Sequence, residues 1–70
     1  MNKYIATFYS HYDAIVFYDH LKKKGVEAKL APTPRKVSAS CGTCVIFLAL
    51  DTDSLPDDEV EAIYKEGEIT

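Results

Sequence analysis

The pattern of apolar and polar positions divides the first part of the chain into a strand, a helix and a second strand. Residues 3–9 are rich in aromatic and β-branched side chains, which predicts a strand. The four residues beginning at Ser10 have the S-x-x-D form of a helix start, with Ser10 as the N-cap. An apolar stripe near the helical period then leads to Gly25, a residue type suited to the left-handed position after a helix. We therefore predict a helix over residues 11–24.

Two further strands follow. Residues 26–31 alternate cleanly, so we expect Val26, Ala28 and Leu30 to face the core, and Pro32 to end this strand. Residues 44–50 are apolar on both faces, which is typical of a strand at the centre of a sheet.

The pattern after residue 50 resembles the first helix. The segment beginning at Ser54 repeats the S-x-x-D start, with Pro56 in the first turn. Val60, Ile63 and Tyr64 then form an apolar stripe at helical spacing. We predict a second helix that stops at Gly67, followed by a short strand over residues 68–70.

This order of elements predicts an α+β fold. Strand, helix, strand, long loop, strand, helix and short strand correspond to a two-layer sandwich with a ferredoxin-like split βαβ order. Two helices would cover one face of a mainly antiparallel sheet. The last strand is too short to close the sheet securely, so its edge either stays open or is completed by a second copy in a homodimer.

Length and composition limit the class of protein. With 70 residues, the chain can support one core, so residues 1–70 are expected to be a single domain that folds without a cofactor. The longest apolar run covers residues 44–50, far short of the roughly 20 needed to span a membrane. A net charge of −3 argues against nucleic-acid binding. The start of the chain lacks a signal-peptide layout, and we expect a cytoplasmic protein.

The connection between the second and third strands contains most of the unusual chemistry. Hairpin loops usually have about two to five residues, and longer ones in small domains are usually functional or mobile. Residues 32–43 form a much longer connection, which begins with Pro-Thr-Pro and ends at the Cys41-Gly42-Thr43-Cys44 segment. A reactive cysteine is therefore the feature to explain.

Cys41 has the sequence neighbours that would stabilise a thiolate. Cations and backbone or hydroxyl donors lower a thiol pKa and so increase the nucleophilic form. The candidates for these roles are the cations Arg35 and Lys36, the hydroxyls of Ser38 and Ser40, and Gly42, which lets the backbone come close to the sulfur.

Cys44 completes a C-x-x-C pair that has several interpretations. It could act as the resolving thiol of a redox pair with Cys41, or the pair could form half of a zinc site, completed by a second copy or by His11 or His20. A thioredoxin-like role is disfavoured because this pair opens a strand, whereas the thioredoxin pair opens a helix. Strand alternation also places Cys44 on the face of Ile46 and Leu48, where a cysteine packs as a small hydrophobe.

Some of these residues also carry a family resemblance that covers most of the chain. The sequence resembles the small bacterial selenium/sulfur carrier protein-like family in the residues that follow: the loop residues Pro32, Thr33, Pro34, Arg35, Ser38, Ser40, Cys41 and Gly42, the strand residues Tyr4, Ile5, Ala6, Thr7 and Phe8, and the helix start Ser10, His11, Asp13 and Ala14. The resemblance implies that Cys41 carries sulfur or selenium as a persulfide-type adduct. Cys44 is not a fixed part of that motif.

The sequence-level hypothesis is thus a carrier rather than a stand-alone enzyme. Cys41 would accept the atom from a donor protein and pass it to an acceptor, with Arg35 stabilising the anionic adduct. The dithiol redox protein and the metal-binding module remain alternatives. His11, in the first turn of the helix, is expected to be a surface or capping residue, and no role is assigned to it or to Tyr9 and Tyr12.

Overall fold

The computed structural model describes residues 1–37, 42–50, 55 and 60–68. Within them lie four strands, one α-helix and a 3₁₀ turn, which follow in chain order: β1 (Asn2–Phe8), α1 (His11–Lys23), β2 (Ala28–Pro32), β3 (Thr43–Ala49), β4 (Val60–Lys65) and the 3₁₀ turn Glu66–Glu68.

The four strands form one antiparallel sheet in the order β2-β3-β1-β4. The predicted central position of the apolar strand is confirmed, because β3 lies between β2 and β1. Strands β1 and β2 run in the same direction on either side of β3, and α1 provides the crossover between them. The sheet therefore brings the end of β2 and the start of β3 together at one end.

The ends of α1 follow from local sequence signals. The Ser10 side chain accepts a hydrogen bond of 3.2 Å from the backbone N–H of Asp13, so the predicted N-cap is confirmed. The helix ends one residue before the predicted boundary, with Lys24 as the C-cap. Gly25 follows with a φ of 80°, the left-handed conformation that favours glycine after a helix.

The core lies between α1 and one face of the sheet. Phe17 of α1 contacts two strand residues, with ring-centroid distances of 5.2 Å to Phe8 and 5.7 Å to Phe47. Ala14 and Leu21, one turn away on either side, are fully buried. Burial of this apolar stripe fixes α1 on the sheet and so fixes the direction in which its N-terminus points.

The predicted second helix is wrong where the structure describes it, because residues 60–65 form strand β4. Its register against β1 shifts between Thr7 and Phe8, so that Val60 pairs with Phe8 while Ala62 pairs with Thr7. This bulge inserts one extra residue and lets Val60 and Ile63, three positions apart, both pack against the core. Their spacing therefore imitates a helical stripe although the segment is extended.

The fold class is confirmed at the level of an α+β protein with an antiparallel sheet. The ferredoxin-like order with two helices is not confirmed, since α1 is the one α-helix among the described residues. The helix start at Ser54 lies outside the described residues. The predicted strand over residues 68–70 is wrong at its first residue, because Glu68 ends the 3₁₀ turn. Residues 69 and 70 lie outside the described residues.

Candidate functional site

One end of the sheet gathers the elements that surround the long loop. Strands β1 and β2 finish there, β3 begins there, and two residues separate Phe8 at the end of β1 from the start of α1. The loop between β2 and β3 therefore leaves the sheet beside the N-terminus of α1.

The base of the loop is closed by hydrogen bonds. The last β2–β3 pair joins Pro32 to Thr43, and the Thr33 N–H then donates to the Gly42 carbonyl at 3.0 Å. Further along, the Val37 N–H donates to the Pro34 carbonyl at 3.1 Å, which makes a β-turn. Val37 itself is buried, 6% exposed. The first half of the loop is thus anchored at both of its ends.

The two cations of the loop occupy the corner of this turn. Arg35 and Lys36 lie between Pro34 and Val37, and both side chains are exposed to solvent. The predicted site residues Ser38, Ser40 and Cys41 lie outside the described residues, so the predicted contact between Arg35 and Cys41 stays a prediction. The structure does hold Arg35 at the outer surface, where an anion can reach it.

Gly42 is exposed at the point where the chain re-enters the sheet. A Cβ atom placed on Gly42 would meet no other atom within 4 Å, so packing does not demand glycine here. The proposed role of Gly42, close approach of its backbone to the sulfur, therefore stays a prediction that a substitution can test.

Cys44 is a buried thiol at the base of the loop. It is fully buried, pairs with Thr7 of β1 and donates a hydrogen bond of 3.7 Å from Sγ to the Pro32 carbonyl. Burial raises the pKa of the Cys44 thiol, and a hydrogen bond from the Thr33 side chain partly opposes that rise. The prediction that Cys44 packs as a small hydrophobe is confirmed.

A contact that the sequence analysis missed joins the helix to the loop. The Nδ1 atom of His11, the first residue of α1, lies 3.0 Å from the hydroxyl oxygen of Thr43, the first residue of β3. The two residues are 32 positions apart. The local sequence around His11 holds no signal of this contact, because it depends on how α1 packs on the sheet.

Two aromatic side chains are exposed at the same end of the molecule. Tyr9 is 61% exposed and Tyr12 is 72% exposed, on either side of the Ser10 cap. Neither packs into the core. Exposed tyrosines of this kind are common at protein–protein interfaces.

The described residues provide no metal site. No group of three or more His, Cys, Asp or Glu side chains in residues 1–37, 42–50, 55 and 60–68 converges closely enough to hold an ion. His20 is half-buried late in α1. A zinc site that includes Cys41 lies outside the described residues.

Comparison with known families identifies the chain. The family model described as "Putative Se/S carrier protein-like" matches residues 3–69. The chain belongs to this family. The match includes the whole long loop, the helix start at His11 and the strands except for Asn2 at the start of β1, and it confirms the resemblance found in the sequence. No curated protein and no solved structure matches the chain.

No helix in the described part of this family member has the length and apolar character needed to cross a membrane.

Proposed function

We propose that this protein carries sulfur or selenium as a persulfide-type adduct on Cys41 and passes the atom between partner enzymes. The observation that carries the proposal is the family match over residues 3–69, which includes Cys41 in its long loop. The anchored loop base and the exposed turn with Arg35 support it, because they suit a thiol that must be presented to large partners.

The transfer needs no external oxidant or reductant. The Cys41 thiolate attacks the terminal sulfur of a donor's cysteine persulfide, a new S–S bond forms at Cys41, and the donor's own S–S bond breaks. The donor cysteine leaves as a thiolate. The acceptor repeats the same exchange, and selenium can replace the terminal sulfur. Arg35 and Lys36 would stabilise the anionic adduct through their positive charge.

The burial of Cys44 favours a one-cysteine carrier over a dithiol redox protein. A resolving thiol must reach its partner as a thiolate. Cys44 is fully buried, its pKa is raised, and its thiol already donates to Pro32. Each of these features slows attack by Cys44 on an adduct held in the loop.

The proposal also covers the domain organisation, the cellular compartment and the partners of the protein. Residues 1–70 act as one domain in the cytoplasm, and the partners are donor and acceptor enzymes rather than nucleic acid or membrane. The exposed side chains of Tyr9 and Tyr12 contribute to the surface that those enzymes contact. A second copy of the chain is a further candidate partner, at the outer edge of the sheet.

Intact-mass measurement tests the carrier function. Reduced protein is incubated with a cysteine desulfurase and either cysteine or selenocysteine, and the mass is recorded before and after a reductant. We expect one reducible sulfur or selenium atom per chain in the parent and in Cys44→Ser, and none in Cys41→Ser. An adduct that persists in Cys41→Ser, or that disappears in Cys44→Ser, would contradict the proposal.

A further inference from the structure

Strand β2 forms one edge of the sheet, and its hydrogen bonds decide which residues face outward. Glu27 and Thr33, which flank β2, each bond through the main chain to the facing chain at 3.0 Å. Residues of an antiparallel strand alternate between bonding to a neighbour and facing away from it. Because the register between these two bonds is continuous, Ala28 and Leu30 turn their N–H and C=O groups away from β3. Among the described residues no strand lies beyond β2, so these groups face a potential partner strand.

The side chains of this edge are incompletely covered by the rest of the molecule. Ala28 packs against the core under α1, and Leu30, two positions later, lies on the same side of the sheet. Leu30 is nevertheless 38% exposed and is the one exposed large hydrophobic side chain within the four strands. Glu27 and Lys29 alternate with these residues and are exposed on the other side of the sheet. A partner strand would therefore meet an apolar residue on one side and two opposite charges on the other.

The sequence of this edge is complementary to itself. Residues 26–30 read Val-Glu-Ala-Lys-Leu, so two copies that run antiparallel with Ala28 facing Ala28 set each Glu27 opposite Lys29 of the other copy. Such directly opposite side chains lie about 5 Å apart, and opposite charges there stabilise a strand pair. A lysine on an edge strand normally discourages pairing, but in this register Glu27 neutralises it. A shift by two residues would instead set Lys29 against its own copy, which disfavours that alternative.

The opposite edge of the sheet is less suited to pairing. Strand β4 carries the bulge at which its register against β1 shifts between Thr7 and Phe8. Bulges are one of the features that protect edge strands from pairing with another chain. Strand β2 pairs with β3 without any such shift. The regular edge is therefore β2.

We propose that two copies of this chain associate through β2, in an antiparallel pair centred on Ala28 that joins their two sheets. Ala28 of each copy exchanges two backbone hydrogen bonds with Ala28 of the other, and Leu30 lies opposite Val26 of the second copy, where its exposed side chain becomes covered. The inference names the edge and the register for the second copy considered above, and it does not depend on Cys41 or on the carrier function.

The proposed seam is short, so we expect a dimer whose population depends strongly on protein concentration. Interfaces that bury less than about 1,200 Å² in total belong mainly to weak or transient complexes. Because the two β2 strands run in opposite directions, the two long loops leave the joined sheet at opposite ends. Association through β2 therefore does not bring the two loops together.

Sedimentation velocity over a wide range of concentration, under reducing conditions, measures the dissociation constant of the dimer. Lys29→Glu and Glu27→Lys each replace two attractive pairs by two repulsive ones, and each should raise the dissociation constant about tenfold or more. The double variant Glu27→Lys/Lys29→Glu restores opposite charges across the seam and should dimerise within about threefold of the parent. Both positions are exposed, so these variants should keep the fold.

Lys65→Glu is the matched control. It changes the net charge as Lys29→Glu does, but Lys65 is exposed at the end of β4, on the other edge of the sheet. It should leave the dissociation constant within about threefold of that of the parent. A parent that stays monomeric at every concentration, a double variant that does not recover, or equal losses in Lys65→Glu and Lys29→Glu would each overturn the inference.

Amide hydrogen exchange locates the seam residue by residue. In dilute protein, the amides of Ala28 and Leu30 should exchange faster than those of Lys29 and Ala31, which bond to β3. At concentrations where most chains are dimers, exchange at Ala28 and Leu30 should slow about fivefold or more, with unchanged rates in β4. Protection that develops in β4, or at neither edge, would show that the chains do not pair through β2.

These measurements are independent of the test of the carrier function. Neither uses an adduct or a donor enzyme. A parent that takes no atom from a desulfurase would contradict the proposed function and leave the association results unchanged. A parent that is loaded but stays monomeric would contradict the proposed β2 pairing alone.

Discussion

The Cys44 thiol donates a hydrogen bond of 3.7 Å to the main-chain carbonyl of Pro32, across the β2–β3 pair at the base of the long loop. Cys44 is therefore part of the sheet, and Cys41, the proposed reactive position, precedes β3 in the sequence. The burial of Cys44 leads to the first two predictions.

In the folded protein, Cys44 should be protected from alkylation. Its thiol is fully buried, so iodoacetamide can reach it when the sheet opens and not before. We expect alkylation at neutral pH to be slower by about 100-fold or more than in urea-unfolded protein. Peptide-resolved mass spectrometry measures the rate for each cysteine. Equal rates for Cys44 in folded and unfolded protein would contradict the buried position.

The raised pKa of Cys44 predicts a loss of stability in alkaline solution. The unfolded chain releases the thiol proton near the ordinary pKa of 9.0, whereas the folded chain retains it to higher pH. The unfolded state then binds fewer protons, so the free energy of unfolding falls as pH rises above about 9, by up to roughly 1.4 kcal/mol per pH unit. Urea unfolding at several pH values measures this slope.

Two variants isolate the contribution of Cys44 to that slope. Cys44→Ala removes the titrating thiol, so its free energy of unfolding should fall less steeply with rising pH than that of the parent does. Val45→Ala lowers the stability of the same strand by creating a cavity but keeps the thiol, so it should retain the slope of the parent. Identical slopes in the parent and Cys44→Ala would show that burial does not raise this pKa.

Thr7 stabilises the bulge that accommodates β4. It is fully buried, and its hydroxyl donates to the Ala62 carbonyl at 3.4 Å, beside the register shift. Thr7→Val should lower the free energy of unfolding by about 1 kcal/mol, the value of one buried hydrogen bond. Thr43→Val is the control, because its hydrogen bond to His11 is exposed and should change stability little. Equal effects in urea unfolding would contradict a special role for Thr7.

Gly25 and Gly42 should respond differently to alanine. Gly25 has a φ of 80°, so Gly25→Ala should cost about 1–2 kcal/mol through backbone strain. A Cβ on Gly42 meets no atom within 4 Å, and we expect Gly42→Ala to change stability by less than about 0.5 kcal/mol. Thermal or urea unfolding measures both. A folded Gly42→Ala protein also allows the proposed role of Gly42 in adduct formation to be tested directly.

Tyr12 should matter for transfer between proteins and not for the thiol itself. Its ring is 72% exposed at the end of the molecule that carries the loop, and tyrosines often dominate the binding energy of interfaces. Tyr12→Ser should slow loading by a desulfurase about tenfold, equivalent to roughly 1.4 kcal/mol, with unchanged exchange with glutathione disulfide. Lys22→Ser, an exposed change in the last turn of α1, is the control. If Tyr12→Ser slowed both loading and exchange, Tyr12 would act on the reactivity of the thiol and not on the binding of a partner.

Features set by neighbouring residues were predictable from the sequence. The Ser10 cap and the left-handed Gly25 each depend on a few adjacent positions, and both were predicted correctly. The burial of Cys44 was predicted from its place in an apolar strand, which lies inside the sheet.

Features that depend on distant residues were not predictable. The bulge in β4 is defined by pairing with β1, and without that partner the spacing of Val60 and Ile63 reads as a helix turn. The contact between His11 and Thr43 likewise depends on the packing of α1. The candidate site could be named by residue type in the loop, but its link to α1 required the structure.

The position of β1 has a consequence for how the protein is made. It is an inner strand, and one of its two neighbours is β4, so that Ile5 pairs with Tyr64. A nascent chain emerging from the ribosome cannot complete this pairing until residues 60–65 have been synthesised and released from the exit tunnel. We therefore expect the sheet to stay incomplete until β4 has left the tunnel, with a partly unpaired, apolar β1 exposed to chaperones until then.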